Sequence, residues 1–133
     1  WVREVMNRMY KNHIRGLSGN DDCGQMSAWY LFTAMGFYPV CPGTDQYVLG
    51  APYLPYLKIS LSNGKIFEIK AEGVSDKKRY VKSVRLNGVP YHKMYITHSD
   101  ILKGGVLEFV MSVSPNKKRG QELVDKPYSL TTR

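Results

Sequence analysis

Cysteine, histidine and acidic residues are all scarce in this chain, at two, three and eleven of 133 residues. Each shortage excludes something. Two cysteines allow one disulfide at most, and Cys23 and Cys41 fall at opposite ends of a predicted helix, so free, buried thiols are expected. Their spacing builds no zinc site, and His13, His92 and His98 are too scattered to add one. No Ser, His and Asp pattern suggests a nucleophilic triad. Long hydrophobic runs are missing too. The stretch from Ala28 to Cys41 is broken by Thr33, Gly36 and Pro39 and falls short of the roughly 20 residues a membrane span needs. There is no initiator Met and no signal peptide. Because Trp1 is already in helical register with Val5, Met9 and His13, the chain is expected to be a piece of a larger protein, which would carry any export signal itself.

Against eleven acidic residues stand nineteen Lys and Arg, a formal charge of +8. A gathered basic surface would favour nucleic acid, but these charges are spread along the chain. The two short clusters, Lys77-Lys78-Arg79 and Lys117-Lys118-Arg119, fall in an expected turn and in the tail. They read as solvated loop charge, and no nucleic-acid partner is expected.

With 43% hydrophobic residues the chain can bury a core. Val2, Met6, Tyr10 and Ile14 form a row beside Trp1, Val5, Met9 and His13, which predicts an amphipathic helix over 1–15. A second helix is predicted from Cys23 to Met35, with Asp22 as N-cap, Gln25 in capping-box position, Gly36 closing it and Pro39 preventing resumption. Apolar side chains line it nearly all round, which predicts burial on all sides. One amphipathic partner cannot supply that cover, so the helix pair reads as the end of a larger helical array.

After Pro42-Gly43 the period changes from helical to alternating. Leu57, Ile59 and Leu61 point one way, Asn63-Gly64 reads as a two-residue hairpin turn, and Phe67, Ile69 and Ala71 return. Tyr80 to Leu86, a second turn at Asn87-Gly88, Tyr91 to Ile96 and Leu107 to Val113 continue the pattern, with His98-Ser99-Asp100 capping one helical turn. The expected fold is α+β: a helical segment over 1–44, a small antiparallel β-sandwich-like domain of five or six strands over 45–114, and a polar tail over 115–133.

The densest chemistry lies in Gly19-Asn20-Asp21-Asp22-Cys23-Gly24-Gln25-Met26-Ser27-Ala28-Trp29. Asp22 is explicable as an N-cap, which contributes about 1 kcal/mol. Asp21 competes with it for the same helix dipole, and adjacent like charges raise at least one pKa unless a cation or water intervenes. Oxygen donors from Asn20, Asp21 and Asp22 suit Ca²⁺ but fall short of the usual six to eight or so, and the spacing is not that of an EF-hand. A carboxylate here could equally serve as general base toward water in an inverting glycosidase, whose second, protonated carboxyl has no obvious source in this chain. Trp29, Tyr30, Tyr38, Tyr47, Tyr53 and Tyr56 could stack on sugars, but their spacing favours core for most of them.

The string from Gly16 through Gly19-Asn20-Asp21-Asp22-Cys23-Gly24-Gln25-Met26-Ser27-Ala28-Trp29 to Tyr30, followed by Gly36-Phe37-Tyr38-Pro39, closely resembles the C-terminal part of family 92 glycoside hydrolases. Gly50-Ala51-Pro52, Asn63-Gly64-Lys65, Leu86-Asn87-Gly88, Thr97-His98 and Gly104-Gly105 extend the likeness over nearly the whole chain. The resemblance implies a calcium-dependent, inverting exo-α-mannosidase, α-1,2-mannosidase-like, acting on mannose-containing glycans. It also implies an N-terminal β-sandwich and an (α/α)₆ barrel outside this chain, with the general acid upstream and export of the parent protein. Carried over by position, Asp22 is the expected base, Asp21 assists it, and Asn20 and Asp22 are the expected Ca²⁺ ligands. Asn20 stands where many relatives have an acidic residue. The isolated chain is then expected to be inactive. The alternative reading is a non-catalytic carbohydrate-binding or structural β-sandwich module.

Overall fold

A computed structural model describes residues 1–131. Helix α1 spans Val2–Met9, well short of the expected end at 15. Tyr10 leaves the helix in extended conformation and bridges Leu17, closing a tight loop in which the Lys11 N–H donates to the Gly16 carbonyl at 2.9 Å. Aromatic packing accounts for the early stop. By leaving the helix, Tyr10 stacks on Trp29 with ring centroids 5.6 Å apart and meets Tyr30 at 4.9 Å. Met6 and Arg3 are the buried contacts of α1, and the Arg3 guanidinium donates to the Pro52 carbonyl at 2.6 Å while lying over the Tyr53 ring. Both apolar rows of α1 are partly open, with Trp1, Val2 and Met9 exposed.

Helix α2 spans Gln25–Met35, and Gly36 ends it as expected, its N–H donating to the Phe32 and Thr33 carbonyls. Glycine is required there, since φ is +90° and an added Cβ would lie 2.6 Å from Pro52 Cγ. Thr33 and Ala34 are buried, but Leu31 is 63% exposed and Ala28 is also open. The expected burial on all sides is therefore realised on one side only. The apolar circumference expected from the sequence is present, but residues 1–131 cover only part of it.

Eight strands follow: β1 Phe37–Tyr38, β2 Gln46–Leu49, β3 Tyr56–Ser60, β4 Ile66–Lys70, β5 Tyr80–Leu86, β6 Val89–Pro90, β7 Tyr95–Thr97 and β8 Gly105–Ser112, with a short helix α3 at His98–Leu102 between the last two. They form a three-stranded sheet in the order β1-β2-β7 and a five-stranded sheet in the order β3-β4-β8-β5-β6. Both sheets feed one core that includes Phe37, Leu49 and Ile96 from the first and Phe67, Ile69 and Leu107 from the second. The fold is α+β. Every pairing is antiparallel except β4 with β8, which is parallel from Phe67↔Gly105 to Lys70↔Glu108. The wholly antiparallel expectation fails there because a parallel return needs a long crossover, and residues 71–104 provide one through β5, β6, β7 and α3. Full burial of Phe67, Ile69 and Leu107 contributes roughly 1.5–3 kcal/mol each.

The two Asn-Gly turns differ. Asn87 and Gly88 both have positive φ, and Leu86 pairs directly with Val89, as a two-residue type I′ turn demands. At Asn63-Gly64 only Gly64 has positive φ, and the Leu61 N–H donates to the Lys65 carbonyl around a three-residue loop. The returning strand after Asn87-Gly88 ends at Pro90 rather than running to Ile96, and the chain crosses to the other sheet as β7. The N-cap of α3 is Thr97, in a reciprocal capping box with Asp100, rather than the expected His98-Ser99-Asp100. The described part of the tail, to residue 131, packs back on the chain. Its Asn116, Arg119 and Asp125 bond back to Lys82, Lys93 and Met94 respectively. Among the described residues no helix is long and apolar enough to cross a membrane.

Candidate active site

The segment from Asn20 to Ser27 forms a left-handed turn followed by the first turn of α2. Asp22, Cys23 and Gly24 have φ of 40°, 61° and 91° in succession. The Asp21 carbonyl closes the turn, accepting the Gly24 N–H at 3.0 Å and the Gln25 N–H at 2.7 Å. Left-handed backbone costs a non-glycine residue about 1–2 kcal/mol, and Cys23 has no side-chain amide or carboxylate to soften that cost. Strain of this kind persists only where the surroundings enforce it, and it concentrates at functional sites.

Asp21 provides much of that enforcement. Its Oδ1 accepts the Ser27 N–H and its Oδ2 accepts the Ser27 hydroxyl, both at 2.8 Å. Ser27 is the third residue of α2, so Asp21 satisfies one of the helix's unpaired N–H groups from outside the helix. The bonds from Ser27, its N–H first, hold the Asp21 carboxyl below its ordinary pKa. This corrects the expected capping: Asp22 is not the N-cap, which is Gly24, and no capping box with Gln25 forms. The left-handed turn displaces the helix start to Gln25 and leaves Cys23 exposed, against the expectation of a buried thiol. Cys41 is half-buried, and both cysteines are free.

Asn20 and Asp22 are exposed, and the Asp22 carboxylate has no hydrogen-bond or ion-pair partner among the described residues. The two adjacent carboxylates are thus separated by use: Asp21 is tied to Ser27, and Asp22 is free at the surface of a hydrogen-bonded turn. Below them Tyr10 donates its hydroxyl to the Met26 carbonyl at 3.1 Å, bracing the first turn of α2. Burial, and after it the Asp21 charge, push the Tyr10 hydroxyl above its ordinary pKa.

Sequence reasoning singles out this segment but gives no role to Ser27 or Tyr10. A serine six residues after an aspartate matches no standard capping spacing, and Tyr10 was assigned to a helix face. The aromatics expected in the core instead form half-buried ring stacks, and Tyr56 is 49% exposed with its hydroxyl on Glu68. His13 and His98 act locally, accepting from the Arg15 N–H and meeting the Tyr47 hydroxyl. Among the described residues no three His, Cys, Asp or Glu side chains gather as a metal site. An apolar groove of about 640 Å³ runs between α1, α2 and the β1–β2 pair, and neither Asp21 nor Asp22 lines it.

Comparisons with known proteins agree on one family. The sequence profile described as the glycosyl hydrolase family 92 catalytic domain matches residues 1–113. A protein described as an uncharacterized secreted glycosidase of Arthroderma benhamiae is 31% identical over 105 residues, which cover 77% of this chain. Among solved structures, a family GH92 α-mannosidase of Bacteroides thetaiotaomicron in complex with mannoimidazole superposes over 98% of this chain with a TM-score of 0.92 and 46% identity. An inverting mannosidase of the same family and organism covers 96% of the chain with a TM-score of 0.89 and 40% identity. The chain spans 14% of the length of the fungal relative and 17% of each of these two solved chains. With a profile match over most of its length and near-complete superposition on two family structures, the chain belongs to glycosyl hydrolase family 92.

Proposed function

We propose that this chain supplies the general-base turn of an inverting, calcium-dependent exo-α-mannosidase that removes terminal mannose from glycans and is exported from the cell. The observation that carries the reading is the division of labour between the two carboxylates. A general base needs an oxygen free to take a proton from water, held at a fixed place. Asp22 is free and sits on a backbone turn fixed by its neighbour, whereas both oxygens of Asp21 are occupied by Ser27. Asp21 is then a positioning residue and Asp22 the catalytic one. Identities of 40–46% to family mannosidases, one of them inverting, support the substrate class and the stereochemistry. The fungal relative, described as secreted, supports export.

Asn20 and Asp22 fit as part of a Ca²⁺ site. Both present uncommitted hard oxygens at the surface, while each oxygen of Asp21 already accepts a hydrogen bond from Ser27. Two side chains are a fraction of the roughly six to eight ligands Ca²⁺ takes, so the remainder would come from sugar hydroxyls, water and other parts of the intact enzyme. When bound, the ion supplies a Lewis acid to the sugar oxygens. The chain's own part is to hold Asp22 against the attacking water, with Asn20 exposed two residues before it. The proton leaving that water goes to Asp22, and the leaving-group oxygen takes its proton from an acid outside residues 1–133.

The test is a pair of assays on an aryl α-mannoside with Ca²⁺ present. The isolated chain is expected to release no mannose, and Asp22→Asn in the intact enzyme is expected to cut turnover by on the order of 10²–10⁴ while leaving the fold unchanged. Near-normal kcat in Asp22→Asn would remove Asp22 from the mechanism. Turnover by residues 1–133 alone would overturn the claim that the acid lies elsewhere.

A further inference from the structure

The peptide group joining Met26 to Ser27 is held at both ends. Its carbonyl oxygen accepts the Tyr10 hydroxyl at 3.1 Å, and its N–H donates to Asp21 Oδ1 at 2.8 Å. One planar unit therefore connects a side chain just past the end of α1 to the carboxylate that fastens the turn carrying Asp22. A carbonyl has two lone pairs, so that of Met26 can take Tyr10 in addition to its helical partner. Hydrogen bonds in such a chain polarise one another, and the Tyr10 bond makes the Ser27 N–H a stronger donor to Asp21.

Tyr10 is itself closely fixed. It leaves α1 in extended conformation, and its backbone bridges Leu17. The loop between them closes at Gly16, where an added Cβ would collide with the Lys11 carbonyl oxygen. The ring meets Trp29, stacked at 5.6 Å, and Tyr30 at 4.9 Å. Both neighbours belong to α2, so the ring is docked on the helix whose first turn its hydroxyl holds. The Tyr10 bond is half-buried, whereas the contacts between Asp21 and Ser27 are open to solvent. A hydrogen bond partly removed from water is electrostatically the stronger, which makes Tyr10 the firm end of the chain.

We propose that Tyr10 is a positioning residue for the site turn: acting through the Met26 to Ser27 peptide group, its hydroxyl sets the grip of Ser27 on Asp21 and so the direction in which Asp22 points. This rests on the reading of Asp22 as the general base and adds to it a residue that touches neither carboxylate.

Tyr10→Phe in the intact enzyme removes the hydroxyl and keeps the ring contacts. Amide hydrogen exchange at Ser27, read by mass spectrometry, is expected to accelerate by roughly two- to ten-fold, the range for losing one hydrogen bond. On an aryl α-mannoside kcat should fall several-fold at an unchanged KM. Tyr53→Phe is the control, since it loses a hydroxyl bond of the same kind, to Asn7 Oδ1 at 3.1 Å, from a ring that meets Tyr30 at 6.4 Å. It should leave both kcat and Ser27 exchange unchanged. Unaltered Ser27 exchange in Tyr10→Phe would break the link through the peptide group, and an equal fall of kcat in Tyr53→Phe would reduce Tyr10 to general packing; either result overturns the proposal. Asp22→Asn, assayed beside them, separates the two levels of inference. Near-normal kcat there sinks the base assignment and takes the role of Tyr10 with it, whereas loss of kcat there with normal kcat in Tyr10→Phe overturns the role of Tyr10 alone.

Discussion

Asp21 grips Ser27 with both carboxylate oxygens, one on the backbone N–H and one on the hydroxyl, each at 2.8 Å. This contact spans the left-handed turn that carries Asp22, so it determines where the free carboxylate points. Ser27→Ala removes the hydroxyl bond and keeps the backbone one. In the intact enzyme kcat is expected to fall, by up to about 10²-fold, which is what a misplacement near 1 Å can cost. KM should change little, and Ser27→Thr should restore most of the rate. Steady-state kinetics of the two variants decide it. Equal loss in both would mean that Ser27 matters through packing and not through its hydroxyl.

Asp22 offers the opposite combination. It makes no side-chain bond to the described residues, and it occupies a left-handed conformation that asparagine tolerates well. Asp22→Asn should therefore leave stability within about 0.5 kcal/mol, as for other unattached surface positions. Turnover should drop by on the order of 10²–10⁴, the usual contribution of a positioned acid or base. Thermal unfolding measured beside kcat/KM separates the two effects, and a variant that loses both in proportion would make Asp22 structural.

Much of this fold was legible because its determinants are local. The alternation of Phe67, Ile69 and Ala71 put all three in the core, and Gly36 ended α2 where expected. Asn87-Gly88 formed the tight turn its residues favour. What the sequence did not reveal depends on contacts between distant segments. Tyr10 left its helix for Trp29, the β4–β8 pairing turned parallel through a crossover of more than thirty residues, and the polar tail docked through hydrogen bonds to Lys82, Lys93, Met94 and Gln46. The site shows the same split. Adjacent carboxylates before an apolar helix marked the segment, but which one is tied and which is free depends on three positive φ angles that no residue type except Gly24 announces.

Gly36 tests how strictly the junction between α2 and the sheets is packed. Its φ of +90° and the 2.6 Å approach of Pro52 Cγ leave no room for a methyl group, and its carbonyl accepts the Gly50 N–H at 2.8 Å. Gly36→Ala should cost about 2–4 kcal/mol, combining left-handed strain with overpacking. Urea unfolding would measure it. A loss below about 0.5 kcal/mol would show that Pro52 gives way freely and that the junction is loose.

The Thr97–Asp100 capping box gives the fold a defined acid sensitivity. Burial raises the Asp100 carboxyl, but bonds from the Thr97 hydroxyl and N–H, with Lys103 adding to them, outweigh burial and hold it below its ordinary pKa. A depressed folded pKa means that the ionised group stabilises the fold above the unfolded value of about 3.9, and that this contribution is lost as pH falls through the folded value. Asp100→Asn should therefore be less stable than the parent at pH 6, and the two stability curves should converge as acidification carries Asp100 through its lowered folded pKa. Thr97→Ala removes the other half of the box and should cost about 1 kcal/mol at neutral pH. A difference between parent and Asp100→Asn that persists unchanged at low pH would mean that the carboxylate's charge contributes nothing, and that the box acts only through the shape of its hydrogen bonds.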